Sequence, residues 1–458
     1  MNIRSNTSWR WCFCAVRQIC WGAALLTAAW AQAALPIQHW TLTNGARVYL
    51  VESHAIPMVD VQIDLDAGSR RDPASQAGLA SVMAGQISSG MMADPKGQGP
   101  YAQAMDENQL GEAWADLGAS LGVGASADRL SFSLRSLSYP DLLGKAVALA
   151  ARQMAHPTFP EAIWARDRER LSAALRESLT QPGVVAQNSY AAAVYGAHPY
   201  GFRTTPESLS RIGVSDMRAL HAQALQTCRA SVSVVGDVSR AQADGLVKRL
   251  LALWPASGCQ PLPPVAEVAP LSGEQKLNVP FASAQAHVLI GQPGYKRNDP
   301  DFFTLLVGNH ILGGGGFVSR LTEQVREKRG LSYSVYSYFS PGLHAGAFTV
   351  GLQTRPDQDA QATAVEHEVV KTFVQEGPTE AELQAAKSNL IGGFALRIDS
   401  NRKLLDNVAN IAWNRLPLNY LDNWTAQVER VRVDDVRRAM ARVLQPERMV
   451  TVVLGAQP

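Results

Sequence analysis

Beyond residue 33 the sequence lacks the features that would indicate a membrane protein or a nucleic-acid-binding protein. No later stretch has the roughly 20 uncharged apolar residues of a membrane helix. Three of the 42 basic residues precede residue 34, which leaves 39 against 40 acidic residues and a net charge near −1. No basic block stands out, whereas nucleic-acid binding needs a clustered positive face. We therefore expect no nucleic-acid partner.

Residues 1–33 are typical of a signal peptide. Arg4, Arg10 and Arg17 form a positive segment, an apolar run extends from about Ile19 to Trp30, and Ala31-Gln32-Ala33 is a small-x-small cleavage site. The alternative is that this segment is retained as an N-terminal anchor. We expect cleavage, with release into a bacterial periplasm and no membrane span afterwards.

The mature chain has little cysteine and no clustered histidine. Only Cys228 and Cys259 follow the leader, too far apart in sequence for a local metal knuckle, and in an oxidising compartment such a pair predicts a disulfide. The nine histidines are scattered singly, and neither a zinc motif nor a Gly-x-Ser-x-Gly elbow occurs. We expect this chain to bind no metal or other cofactor.

An internal repeat organises the sequence. Val214–Gly236 aligns without a gap to Val433–Gly455, with identities at both ends. We call the constant difference in residue number between the two copies, for example between Val214 and Val433, the repeat offset. Each copy reads as a helix, a short turn and a β-branched strand that ends in glycine. The proline-rich segment 261–273 between the copies predicts a linker, and hence two halves, 34–260 and 274–458.

Strands and helices are mixed without strict alternation in each half. Strands are predicted at Val59–Ala67, Arg129–Ser136, Ser332–Phe339 and Ala347–Thr354, among helices such as Gly78–Ser89 and Pro160–Thr180. This order favours an α+β fold with one sheet per half and helices on one face of each sheet.

Several segments together resemble one known family. These are AGSRRDP (67–73), AGLA (77–80), YGAHPYG (195–201), VVGDV (234–238) and, most specific, LGGGGFVSRLTEQVREKRGLSYSVYSY (312–338). In this order they resemble the processing-peptidase branch of the pitrilysin/insulinase metallopeptidases. The resemblance implies two homologous halves, each a mostly antiparallel sheet covered by helices, which face each other like a clam.

The zinc site of that family is degenerate in this sequence. Catalytic members carry His-x-x-Glu-His on a helix, where two histidines one turn apart bind zinc and the glutamate activates water. Ser81, Ala84 and Gly85 stand at those positions, and the later glutamate ligand corresponds to Ala174, with Glu177 as the alternative register. Alanine and glycine have no ligand atom and serine is a poor zinc ligand. Zinc is therefore expected in a partner subunit.

The second half keeps the family's arginine and tyrosine. Arg326 and Tyr333 match the pair that reaches the scissile peptide opposite the zinc, at a helix end and at the start of the following strand. A cation and a phenol can hold a peptide carbonyl and stabilise its oxyanion. The alternative is an ordinary surface ion pair and a tyrosine packed on the sheet.

Further peptide contacts are implied by the same resemblance. The run Gly313, Gly314, Gly315 and Gly316 predicts a flexible loop that contacts substrate, or else a plain helix-entry turn. Ala286–Gln292 and Arg129–Ser136 are candidate sheet edges to which an extended peptide could add.

These features predict a non-catalytic, substrate-binding and activating subunit of a heterodimeric zinc endopeptidase. A homologous zinc-bearing subunit would be its partner, and short or unfolded peptides its substrates. Two alternatives are a peptide-binding scaffold without a role in cleavage and a peptide-maturation factor in cofactor biosynthesis.

Overall fold

The computed structural model describes residues 36–255 and 259–455, so the predicted signal peptide lies outside the described residues. The first half contains the strands β1 Gln38–Thr41, β2 Arg47–Glu52, β3 Met58–Leu65, β4 Gly90–Met91, β5 Met105–Asp106, β6 Ser120–Ala125, β7 Leu130–Leu137 and β8 Ser231–Gly236. Its helices are α1 Leu79–Gln86, α2 Glu107–Asp116, α3 Pro140–Ala155, α4 Glu161–Ser178, α5 Pro182–Tyr195, α6 Pro206–Ser210, α7 Val214–Ala224 and α8 Arg240–Leu250.

The second half repeats this mixture of strands and helices. Its strands are β9 Gln275–Val279, β10 Ala286–Pro293, β11 Val335–Phe339, β12 Ala347–Thr354 and β13 Val450–Leu454. Its helices are α9 Phe302–Asn309, α10 Asp359–Glu376, α11 Glu380–Gly392, α12 Asn401–Asn414, α13 Tyr420–Arg430 and α14 Val433–Val443. The described residues 259–274, which span the predicted linker, contain neither helix nor strand.

The two main sheets have the same topology. The first has the order β1-β2-β8-β3-β7-β6, and the second has the order β11-β12-β10-β13-β9. When the second is read in reverse, β9-β13-β10-β12-β11 matches β2-β8-β3-β7-β6, with one parallel pair (β2/β8 and β13/β9) among antiparallel pairs. This equivalence confirms the predicted fold class of two homologous α+β halves.

The repeat offset extends well beyond the segment in which the sequence shows it. Helices α3 and α10 begin at Pro140 and Asp359, and α5 (182–195) and α12 (401–414) correspond at both ends. The same offset relates α7 to α14, from their first to their last residues. The offset therefore relates residues 140–236 to residues 359–455, which supports a single duplication of this part of the chain.

The halves exchange a helix. Helix α5 of the first half packs on β10 and β13 of the second sheet, while α12 of the second half packs on β2, β3 and β8 of the first. Each sheet is therefore covered on its inner face by a helix from the other half. The opposite face of the first sheet buries apolar side chains such as Val59, Val61 and Ile63, each of which stabilises the fold by about 1.5–3 kcal/mol.

Two strands predicted to be sheet edges are interior strands. Segment 286–292 belongs to β10, which lies between β12 and β13, and segment 129–136 belongs to β7, which lies between β3 and β6. The prediction was wrong because the next strand outward in the first half, β6, contains Gly122 and Gly124, and glycine weakens a strand pattern. The edge strands are β1 and β6 in the first sheet and β9 and β11 in the second.

Cys228 and Cys259 form a disulfide in the structure, with Cα atoms 6.3 Å apart. Cys228 lies just before β8, and Cys259 begins the extended segment that leads to the second half. The bond therefore fastens the start of this segment to one end of the first sheet. Separately, no helix among the described residues is long and apolar enough to cross a membrane.

Candidate functional site

The positions predicted to correspond to the zinc motif lie on helix α1. Ser81 and Gly85 are exposed on one face of the helix, and Ala84 is buried in the core. A Cβ added at Gly85 would meet open space, so a side chain would fit at this position, yet none is present. The segment predicted to match the zinc motif is therefore helical, and Ser81, Ala84 and Gly85 give it no histidine or carboxylate side chain at the predicted ligand positions.

The scaffold around α1 is well ordered by hydrogen bonds. Asp72 accepts bonds from the N–H groups of Gly78 (2.9 Å) and Ala80 (3.0 Å) at the start of the helix, and burial raises the pKa of Asp72 to about 6. At the other end, Gln86 donates to Asp167 of α4 (2.8 Å). The two helices that would share the ligands are therefore held together.

The two candidate positions for the later ligand lie on helix α4. Ala174 and Glu177 are both exposed on α4. Within residues 36–255 and 259–455, no cluster of three or more histidine, cysteine, aspartate or glutamate side chains has the arrangement of a metal site. The residues present at this place do not fit a zinc ion.

Arg326 and Tyr333 line the same cavity, which has a volume of about 710 Å³. Its walls come from the N-terminal turns of α5, from β10 and β12, and from the segment 326–336. The side chain of Arg326 is 33% exposed and lies with Cζ 4.7 Å from the centre of the Phe317 ring. Tyr333 is 91% exposed. Both donor groups are accessible to a ligand in the cavity.

The backbone between these two residues is held in place. Arg326 lies in the π-helical turn Thr322–Glu327. Gly330, three residues after the end of this turn, has a φ of +62°, a conformation that favours glycine. Strand β11 begins at Val335, so Tyr333 stands in the loop before the strand and not at the predicted strand start. In this loop Ser332 donates to the carbonyl of Ser334 (2.8 Å), which fixes the backbone on both sides of Tyr333.

The glycine run is packed more closely than a flexible loop would be. Gly313 and Gly314 belong to a π-helical turn that continues α9, and a Cβ at Gly313 would lie 2.5 Å from the backbone nitrogen of Ser337. Cβ atoms at Gly314 and Gly315 would lie 2.7 Å from Asn309 and His310 atoms. The expected flexible loop is thus wrong for these three glycines, which allow close packing instead. Gly316 alone of the four faces open space, with a φ of +63°.

This packed turn covers the edge of the second sheet. Asn309 donates to the carbonyl of Ser337 in β11 (3.1 Å) and accepts from its hydroxyl (2.8 Å). The backbone carbonyl of Ser337, which an added strand would need, is therefore already occupied. In contrast, alternate residues of β6, including Gly122 and Gly124, are exposed in the first half.

The cavity around Arg326 is polar. Its charged residues are Arg326, Glu327 and Arg355, and Nε of Arg326 lies 3.4 Å from Oε1 of Glu327. Its neutral donors and acceptors include the amides of Gln187, Gln285 and Gln353 and the imidazole of His287. Burial lowers the pKa of His287, so this ring is neutral at pH 7. The sequence pattern does not indicate these residues, because they lie far apart in the chain. Gln187 lies on α5, and the other three lie in or next to β10 and β12. The helix exchange brings α5 to these strands.

Comparison with known proteins defines the family. The profile described as Peptidase M16 inactive domain matches residues 211–390. The crystal structure of a peptidase M16 inactive domain from Pseudomonas fluorescens is 31% identical, has a TM-score of 0.85 and covers 92% of this chain and 98% of that chain.

Two curated relatives span almost the whole chain as well. An uncharacterized zinc protease of Mycobacterium tuberculosis is 26% identical over 430 residues, which are 92% of this chain and 94% of that protein. The non-peptidase homolog YmxG of Helicobacter pylori is 26% identical over 403 residues, with 86% and 88% covered. This chain belongs to the peptidase M16 family, the pitrilysin/insulinase metallopeptidases, and is similar to its inactive domains.

Proposed function

We propose that this chain is a non-catalytic, substrate-binding and activating subunit of a heterodimeric zinc endopeptidase in the periplasm. One observation carries the proposal: Arg326 and Tyr333 face the same large cavity, while the zinc-binding positions on α1 hold Ser81, Ala84 and Gly85. The chain has kept the groups that act on a peptide carbonyl and has lost those that hold zinc. The leader-like residues 1–33 and the Cys228–Cys259 disulfide support export.

The chemistry of the pair fits assistance to a partner's reaction. A zinc ion in the partner would supply the activated water and polarise the scissile carbonyl. The guanidinium of Arg326 and the hydroxyl of Tyr333 would donate hydrogen bonds to the carbonyl oxygen as its negative charge develops. Because their backbone is fixed by Gly330 and Ser332, little reorganisation is needed when substrate binds.

The remaining cavity residues fit a peptide main chain. The side-chain amides of Gln187, Gln285 and Gln353 each offer donors and an acceptor, which can pair with backbone C=O and N–H groups without regard to peptide sequence. An extended, unfolded segment could use these groups, whereas a folded protein has its backbone groups already paired. The proposed substrates are therefore short or unfolded peptides.

Reconstitution with a zinc-bearing homologue tests the proposal. The purified chain alone should contain less than about 0.1 zinc per chain by elemental analysis and should cleave no peptide, since zinc needs several protein ligands that α1 and α4 do not offer. Mixing it with an exported homologue that carries His-x-x-Glu-His, which we expect in a neighbouring reading frame, should give a co-eluting complex with far higher peptidase activity. Co-elution without a gain in activity would favour the scaffold alternative.

A further inference from the structure

A second polar cavity, here called the first-half trough, lies between strands β6 and β7 and the start of helix α12. Its volume is about 530 Å³. The floor consists of small residues, including Gly122, Gly124, Ser131 and Ser133, and this leaves room above the sheet. Asp60, Arg135 and Arg402 also line the trough.

Asp60 is the unexplained group in this trough. It is only 2% exposed, and its Oδ2 atom has no hydrogen-bond partner among the described residues. Its Oδ1 atom lies 3.6 Å from Nη1 of Arg135, too far for a hydrogen bond. Burial raises the pKa of Asp60, which Arg135 and Arg402 oppose. A buried carboxylate oxygen without a donor is costly, so a donor from outside the chain would be favourable here.

The neighbouring carboxylate shows that this arrangement is particular to Asp60. Asp64 lies further along β3 on the same face of the strand and is fully buried. It accepts hydrogen bonds from the side chains of Ser131 (2.6 Å) and Gln62 (2.9 Å). Asp64 thus finds its hydrogen-bond donors within the protein, whereas Asp60, which lines the trough, has a buried oxygen without a donor among the described residues.

Comparison of the two repeats shows that the position of Asp60 carries a carboxyl group only in the first half. Asp60 pairs with Val235 in the first sheet, and His287 pairs with Leu454 in the second. Val235 and Leu454 correspond at the repeat offset, so His287 stands where the first half has Asp60. The two cavities, equivalent in the fold, therefore offer different chemistry: a carboxylate in one and a neutral imidazole with the Arg326/Tyr333 pair in the other.

We propose that the first-half trough binds an ammonium group of a peptide, with Oδ2 of Asp60 as its acceptor. This inference rests on the proposed function, because it assumes that the chain binds peptides. An ammonium is a compact donor, and charge-assisted bonds to a carboxylate are about twice as strong as neutral ones. The guanidinium groups of Arg135 and Arg402 have exposed side chains (41% and 65%) and can turn toward solvent as the ligand enters.

Peptide binding to the full chain without its leader distinguishes the two sources of such a group. Three ten-residue peptides of glycine, alanine and serine carry a fluorophore on a C-terminal cysteine: one with a free amino terminus, one acetylated with a central lysine, and one acetylated without lysine. Fluorescence anisotropy should show that the first or the second binds at least about tenfold more tightly than the third.

The variant Asp60→Asn should remove this preference, because an amide cannot form the charged pair. Asp406→Asn is the matched control: it removes one negative charge from an exposed residue beside Arg402 that does not line the trough, and it should retain the preference. Circular dichroism and melting temperature establish that both variants fold. A tighter first peptide assigns the site to an amino terminus, and a tighter second peptide to a lysine side chain.

Equal affinity of wild type for all three peptides, or an unchanged preference in Asp60→Asn, would overturn the ammonium site while leaving the proposed peptide-binding function intact. Failure of all three to bind at millimolar concentration would instead contradict both proposals.

Discussion

The hydroxyl group of Tyr190 donates a 2.7 Å hydrogen bond to the carbonyl oxygen of Phe348. Tyr190 belongs to helix α5 of the first half, and Phe348 belongs to strand β12 of the second. The same hydroxyl lies 3.0 Å from Oγ1 of Thr349, and a Cβ at Gly291 would overlap both this hydroxyl and the Phe348 carbonyl. The exchanged helix is therefore fitted to the sheet of the other half at a point where only glycine leaves enough room.

Tyr190→Phe should lower the free energy of unfolding by about 1–3 kcal/mol, because it leaves a buried carbonyl with an unmet hydrogen bond. Urea unfolding followed by circular dichroism measures this change. Tyr338→Phe is the matched control, because the side chain of Tyr338 is 36% exposed. This substitution should lower the free energy of unfolding by less than about 0.5 kcal/mol. Equal stability of Tyr190→Phe and wild type would contradict a contribution of this bond.

Glu366 is a fully buried carboxyl whose two oxygens have no hydrogen-bond partner among the described residues. The repeat offset relates it to Val147, which is buried in α3 of the first half. Glu366→Val should therefore stabilise the protein by about 1–3 kcal/mol, as it removes an unpaired buried polar group. Thermal and urea unfolding at pH 7 measure the gain, and a destabilised variant would refute this account of Glu366.

The same carboxyl should make stability depend on pH. Burial raises the pKa of Glu366 well above 4.5 in the folded state, so above pH 4.5 the folded state binds more protons than the unfolded state. The free energy of unfolding of wild type, relative to that of Glu366→Gln, should therefore fall as pH rises from 4.5 toward the pKa of Glu366 in the folded state. Below pH 4.5 the difference between the two proteins should be constant. Parallel stability profiles of the two proteins across pH 4–8 would contradict the raised pKa.

The disulfide should contribute substantially to the stability of the first half. Cys228 and Cys259 are 31 residues apart, and closing a loop of this size stabilises a fold by about 3–4 kcal/mol in the chain-entropy model. Replacing both cysteines by alanine should lower the free energy of unfolding by that amount. Thiol titration of the denatured, unreduced protein should find no free thiol in the mature chain. Two reactive thiols would refute the bond.

Much of the fold could be predicted from the sequence because the chain is duplicated and its patterns are regular. The strand Ala347–Thr354 was predicted with its true bounds, and the repeat at Val214–Gly236 marks units that the structure shows to be equivalent. Strand β6 was missed because its glycines hide the apolar alternation. The exchange of α5 and α12 could not be predicted. The periodicity of apolar residues indicates which face of a sheet or helix is buried, but it does not indicate which half of the protein covers that face.

The candidate site, too, could be predicted only where it depends on residues that are close together in the sequence. The helix that carries Ser81, Ala84 and Gly85 could be predicted, since it depends on a contiguous segment. The roles assigned to these positions and to Arg326 and Tyr333 stay predictions. The role of Asp60 could not be predicted: the alternation of Asp60, Gln62 and Asp64 with apolar residues in β3 reads as a half-exposed strand, whereas α12 covers that face. The close packing of Gly313 against Ser337 likewise depends on contacts distant in sequence.

The turnover of the proposed complex with a zinc-bearing subunit is the measurement that decides whether this chain takes part in cleavage. Arg326→Ala and Tyr333→Phe should each reduce turnover by about 10²- to 10³-fold, because each removes a donor to the developing oxyanion. Arg329→Ala is the matched control, since Arg329 donates to the carbonyl of Gln324 (2.7 Å) and does not line the cavity. Melting temperature and co-elution, measured in parallel at a saturating concentration of the zinc subunit, should match wild type in all three variants. Wild-type turnover in both Arg326→Ala and Tyr333→Phe would contradict the role of this chain in cleavage.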